Sequence, residues 1–139
     1  CLEGEDWPRQ AAECAKAVGR AWGFTGLMRA APVWAARRRT FLPQRLLEHL
    51  GLKPEALFAG GGAHVLQQAR LAMLDRARFA FQQAKDLVRV MPVTAFPAVG
   101  YAALEPLYRT PMLAGEDAAA PSQLKRQFRL VTASALGRF

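Results

Sequence analysis

The prolines and glycines of this chain fall where helices begin and end, and the apolar residues between them recur at helical rather than strand spacing. Pro8 precedes an Ala-rich run from Gln10 to about Ala31 that carries Val18, Trp22, Leu27 and Met28. Pro32 is expected to end or kink this helix, because its ring disfavours α geometry at Ala31, and residues 32–42 read as a connector. Pro43 suits the first turn of a short helix running to about Leu50 and closed by Gly51. Pro54 to Phe58 predicts another turn, ended by Gly60-Gly61-Gly62. A long helix is predicted from Ala63 to Arg89, with Leu71, Leu74, Ala77 and Phe81 at three- and four-residue steps, and Met91-Pro92 breaks it. Pro97 to about Tyr108 reads as a further helix, and Pro111 to Ala120 as a loop. Ser122 to Gly137 reads as a last, amphipathic helix. Leu124, Phe128, Val131 and Ala135 form its stripe, with Lys125, Arg126 and Arg129 mostly off it. β-branched residues never alternate over a strand length, and no internal repeat occurs. The fold class is all-α.

The chain has 139 residues, enough for one domain and not two. At 52% hydrophobic and 22% charged it is too apolar for a disordered chain. It lacks the run of about 18 apolar residues that a membrane-spanning helix needs. Nineteen Lys and Arg against 11 Asp and Glu give a net charge of +8. Such a surface attracts phosphates, acidic lipid or nucleic acid, unless an Arg- and Ala-rich coding bias alone sets the charge. Nucleic acid is disfavoured: only Trp34 and Phe41 flank the arginine cluster, and no reader motif is present. Cys1 and Cys14 are too few for a disulfide framework and have no metal-ligand spacing, which fits a reducing compartment. The chain opens on Cys1 without a signal peptide, so it is expected to be a fragment, a processed product or a trimmed piece.

Catalytic chemistry finds little support. Gly60-Gly61-Gly62 lacks the Lys-Ser/Thr of a phosphate loop and reads as a turn. His49 and His64 have no carboxylate or Cys partner at ligand spacing, and Thr132 and Ser134 have no nearby base. Acid pairs able to hold a metal from one helix face need i,i+3 or i,i+4 spacing, which only Glu3 and Asp6 meet. Arg37-Arg38-Arg39 could clamp a diphosphate or an acidic partner through bidentate contacts, the alternative being a solvated basic turn. The stripe of the last helix is expected to pack on the other helices, the alternative being an acidic membrane surface.

The stretch Val18-Gly19-Arg20-Ala21-Trp22-Gly23-Phe24-Thr25-Gly26-Leu27-Met28-Arg29, continuing to Arg39-Thr40-Phe41-Leu42-Pro43, resembles the second aspartate-rich region of the squalene/phytoene synthase family. Gly19, Ala21, Thr25, Leu27, Arg29, Arg39, Leu42 and Pro43 fall in register, and Phe41 takes the place of a Tyr. Pro121 to Phe139 is similar to that family's basic closing helix. The resemblance implies an isoprenoid-synthase-type helical fold, of which residues 1–139 would be a single partial domain, its C-terminal half. In the family's enzymes two aspartates one helical turn apart hold Mg²⁺, which binds the diphosphate of a prenyl substrate. Here those places are Ala30 and Trp34; the preceding acid is Val33, and the family's Gln and Asn are Gly23 and Gly26. Pro32 is expected to divert the helix between the two positions, so that they need not share a face.

Leu27-Met28-Arg29-Ala30-Ala31-Pro32, with Arg37-Arg38-Arg39-Thr40-Phe41-Leu42-Pro43 and Met91-Pro92-Val93-Thr94-Ala95-Phe96-Pro97-Ala98, resembles the family's non-catalytic branch linked to assembly of respiratory complex I. That resemblance implies a binding or assembly factor with no catalytic residue and no cofactor, whose partner is a complex I subunit or assembly intermediate. Arg29, Arg37, Arg38 and Arg39 would form a surviving anion- or partner-binding patch, facing a prenyl diphosphate or an acidic membrane surface. The implied location is the cytoplasmic side of a bacterial inner membrane, or the mitochondrial matrix beside the inner membrane. The alternative is a Mg²⁺-dependent prenyl-diphosphate condensing transferase with a degenerate second motif.

Overall fold

The computed structural model describes residues 7–51, 53, 55, 58, 62–116 and 120–139, and no strand occurs among them. Helix α1 (Trp7–Ala36) leads through a short α2 (Gln44–His49) to α3 (Gly62–Val88). Two 3₁₀ helices (Val93–Ala98 and Gly100–Leu104) then run into α4 (Glu105–Leu113), and α5 (Gln123–Leu136) closes the chain. The all-α expectation holds. The expected Glu3–Asp6 pair, Cys1, Gly60-Gly61 and most of the Pro54 to Phe58 turn lie outside the described residues.

The core is built on α1 and α3. The Cys14 thiol reaches the Ala84 carbonyl at 3.6 Å, while Met28 packs with Met73 and Leu74. Early α1 therefore meets late α3, and the two helices run antiparallel. Small residues let them approach closely: Ala17 and Ala21 face Ala80 and Ala84 in one apolar cluster with Val18, Phe81 and Val88. A second cluster gathers Met28, Leu42, Leu46, Leu47, Met73, Leu74 and Met112. Short α2 follows Pro43 and ends at Gly51, whose φ of 65° turns the chain.

Pro32 does not end α1. The helix continues to Ala36, and backbone bonds from Arg37 and Arg39 to the Trp34 carbonyl finish it. An interior proline costs about 3 kcal/mol through a lost hydrogen bond and a ring clash. Here the burial of Met28, with Ala31 packed on the same cluster, holds the helix across it. The segment after α3 also differs from expectation. Residues 93–104 wind as two 3₁₀ helices, and α4 runs through Pro111 to Leu113. Gly100 permits the tight junction, since a Cβ there would come within 2.8 Å of the Phe96 ring. On α3, Leu74, Ala77 and Phe81 are buried but Leu71 is exposed.

The largest departure is α5. Its ends are those expected: Ser122 Oγ accepts from the Lys125 amide at 3.4 Å, and Gly137, with φ 60°, ends the helix. Its orientation is reversed. Ala133 is the buried residue, and Arg129 Nε donates to the Ala103 carbonyl at 3.2 Å. Leu124, Phe128 and Val131 are 77%, 70% and 65% exposed. The stripe expected to pack on the other helices faces outward, because the helix is anchored by its opposite side.

Candidate functional site

Two faces of α1 define the site. One carries Cys14, Ala17, Val18, Ala21, Thr25 and Met28, all buried. The opposite face carries Gly19, Gly23, Gly26, Ala30 and Trp34. A Cβ placed at Gly19, Gly23 or Gly26 would meet nothing within 4 Å, so this face is open. Because α1 is unbroken through Pro32, Ala30 and Trp34 lie one turn apart on the same face, contrary to the expectation that Pro32 separates them.

A hard cation such as Mg²⁺ needs oxygen ligands. Gly23, Gly26, Ala30, Val33 and Trp34 offer no side-chain oxygen, so this wall of α1 does not fit the ion. Among the described residues no group of three His, Cys, Asp or Glu side chains gathers. The Trp34 ring is instead engaged locally. It meets Phe41 edge-on at 4.9 Å, and the Arg37 guanidinium lies 5.6 Å from its centre.

The structure does not gather the four arginines into one pocket. Arg37, Arg38 and Arg39 are exposed in the turn after α1, where Arg38 adopts a left-handed backbone with φ 53°. Arg29 sits about 12 Å further up the helix axis, with its guanidinium 4.4 Å from the centre of the Tyr108 ring. Tyr108 in turn packs on Trp22 at 5.6 Å, and Tyr101 lies 6.3 Å from the same indole. His49 and His64 are exposed.

The polar centre that sequence reasoning missed lies between the two apolar clusters. Glu105, at the start of α4, is fully buried. Thr25 Oγ1 on α1 donates to its Oε1 at 2.6 Å, and Arg109 Nε donates to both carboxylate oxygens at 3.0 and 3.1 Å. The Arg109 guanidinium also lies 5.7 Å from the Phe81 ring centre. Burial pushes the Glu105 carboxyl above its ordinary range, and Thr25 and Arg109 pull it back. With both oxygens engaged, the group clamps α1 to α4. The sequence held one signal for it: Glu105 and Arg109 stand at i,i+4, and Thr25 falls on the apolar face of α1 between Ala21 and Met28. Burial also raises the Cys14 thiol, which keeps it protonated beneath α3.

The squalene/phytoene synthase family matches residues 2–123, and the chain belongs to that family. No curated protein and no solved structure matches it. The family match stops at residue 123, where α5 begins, so the similarity of Pro121 to Phe139 to a closing helix falls almost wholly beyond it.

Proposed function

We propose that this member of the squalene/phytoene synthase family is a non-catalytic binding or assembly factor whose client is a subunit or assembly intermediate of respiratory complex I. The carrying observation is Ala30 and Trp34 on one continuous face of α1, beside Gly23 and Gly26. In the family's enzymes that face is expected to carry the carboxylates for Mg²⁺, and stabilising the leaving diphosphate in this way is the main electrostatic requirement of the reaction. Trp34 supports the reading further, because its ring is built into the turn by Phe41 and Arg37. The client assignment rests on the resemblance of the segments around Arg29-Ala30-Ala31-Pro32 and Met91 to Ala98 to the assembly branch.

The test is diphosphate release from farnesyl and geranylgeranyl diphosphate by the full-length protein with Mg²⁺. The expected outcome is no release above a no-enzyme blank. In the same assay Ala30→Asp combined with Trp34→Asp also stays silent, because the two carboxylates return without the other polar groups of the site. Chelator-sensitive release by the unaltered protein would overturn the proposal and establish a condensing transferase.

A further inference from the structure

We propose that α5 docks the protein on an anionic phospholipid surface, its outward stripe entering the headgroup–acyl boundary while a neighbouring basic concavity holds lipid phosphates. The inference does not rest on the assembly reading, since it concerns a helix beyond the family match and no client.

The stripe is the first observation. Leu124, Phe128 and Val131 recur one turn apart on the side opposite buried Ala133, and Ala135 continues their line. An amphipathic helix on a folded body ordinarily presents its polar face to water. Here the anchored side includes Arg129, bound to the Ala103 carbonyl, and the free side is apolar. With 14 residues α5 is about 21 Å long, too short to cross a bilayer core of about 30 Å. A helix of this kind lies in the interface.

Charge identifies the occupant. Residues 121–139 carry Lys125, Arg126, Arg129 and Arg138 and no acidic residue. Where the end of α3 meets α5, Lys85, Arg89, Arg129 and Arg138 line one concavity of about 270 Å³, together with Thr132 and Leu136. Asp86 approaches Arg89 at 3.8 Å and is the acid paired there. Arg129 and Thr132 also border a second groove, where Phe128 and Lys125 face Leu107 and Pro111. Lys125 thus flanks the apolar stripe, and the concavity, which Ala133 also lines, lies behind it, one helix diameter (~10 Å) away, on the side where headgroup phosphates sit above the acyl boundary. A second copy of the chain would bring the same cations against one another with no acid on α5 to pair them, which disfavours a self-interface.

The test is sedimentation of the full-length protein with phosphatidylcholine vesicles and with phosphatidylcholine vesicles containing phosphatidylglycerol. Binding is expected to be at least about tenfold tighter on the anionic vesicles and to weaken as salt rises. Phe128→Ser with Val131→Ser should lower anionic-vesicle binding by about tenfold or more while leaving helicity and thermal midpoint in place, since both residues are exposed. Lys85→Gln, Arg89→Gln and Arg138→Gln together should reduce the anionic preference while the stripe stays intact. Equal binding to both vesicle types, no binding to either, or unchanged binding by the double serine variant would overturn the proposal. So would a dimer that the serine pair converts to a monomer.

Discussion

Leu74, Ala77 and Phe81 on α3 and Leu124, Phe128 and Val131 on α5 recur at the same three- and four-residue steps, yet the first set is buried and the second faces out. The difference lies in what each helix meets. Helix α3 lies against the small residues Ala17 and Ala21 of α1, which admit its bulky stripe. Helix α5 is fastened from behind by Ala133 and by the Arg129 bond to Ala103, which leaves its bulky side largely exposed. Periodicity thus locates an apolar stripe, and the partner element decides whether that stripe becomes core or contact surface.

The contrast can be broken most sharply at Glu105. Glu105→Ala leaves the buried Arg109 guanidinium without its carboxylate and frees α4 from α1; a loss of about 3–5 kcal/mol in denaturant unfolding is expected. Next comes the direct comparison of stripes. Leu74→Ala should cost about 2–5 kcal/mol through the cavity it opens, whereas Phe128→Ser should stay within about 0.5 kcal/mol of the unaltered protein. Equal losses at the two positions would mean that α5 packs like α3. The smallest effect is the pH dependence carried by Glu105. Its folded pKa is raised by burial, so between the unfolded carboxyl value and the folded one the native state binds more protons than the unfolded. Stability from this group is therefore greatest below the unfolded value and declines as pH rises through the folded one. Thermal midpoints measured across the acidic range should show that slope, and Glu105→Gln should flatten it.

Helix positions and ends were readable because they depend on local chemistry. Ser122 and Gly137 bound α5 as their side-chain and backbone preferences dictate, and Gly51 closes α2. The reading of Pro32 failed because local cost lost to tertiary packing. The proline penalises α1, but Met28 and Ala31 are held by α2 and α3 residues distant in sequence. The site divides in the same way. The side chains at positions 30 and 34 are fixed by the sequence alone, whereas their sharing one face required knowing that the helix survives. The Thr25–Glu105 bond joins residues 80 apart, and no spacing rule connects them.

The glycines on the open face of α1 carry a further meaning. Gly19, Gly23 and Gly26 each weaken a helix by about 1 kcal/mol relative to Ala, and Pro32 weakens it more. The longest helix among the described residues is thus a poor helix on its own, and its order is conferred by α3. The pair is then expected to open as one cooperative unit, with hydrogen-exchange protection shared between Cys14 on α1 and Ala84 on α3. Helix α5, bounded by its own start and stop signals and exposed along one whole side, is expected to open at lower free energy than that pair.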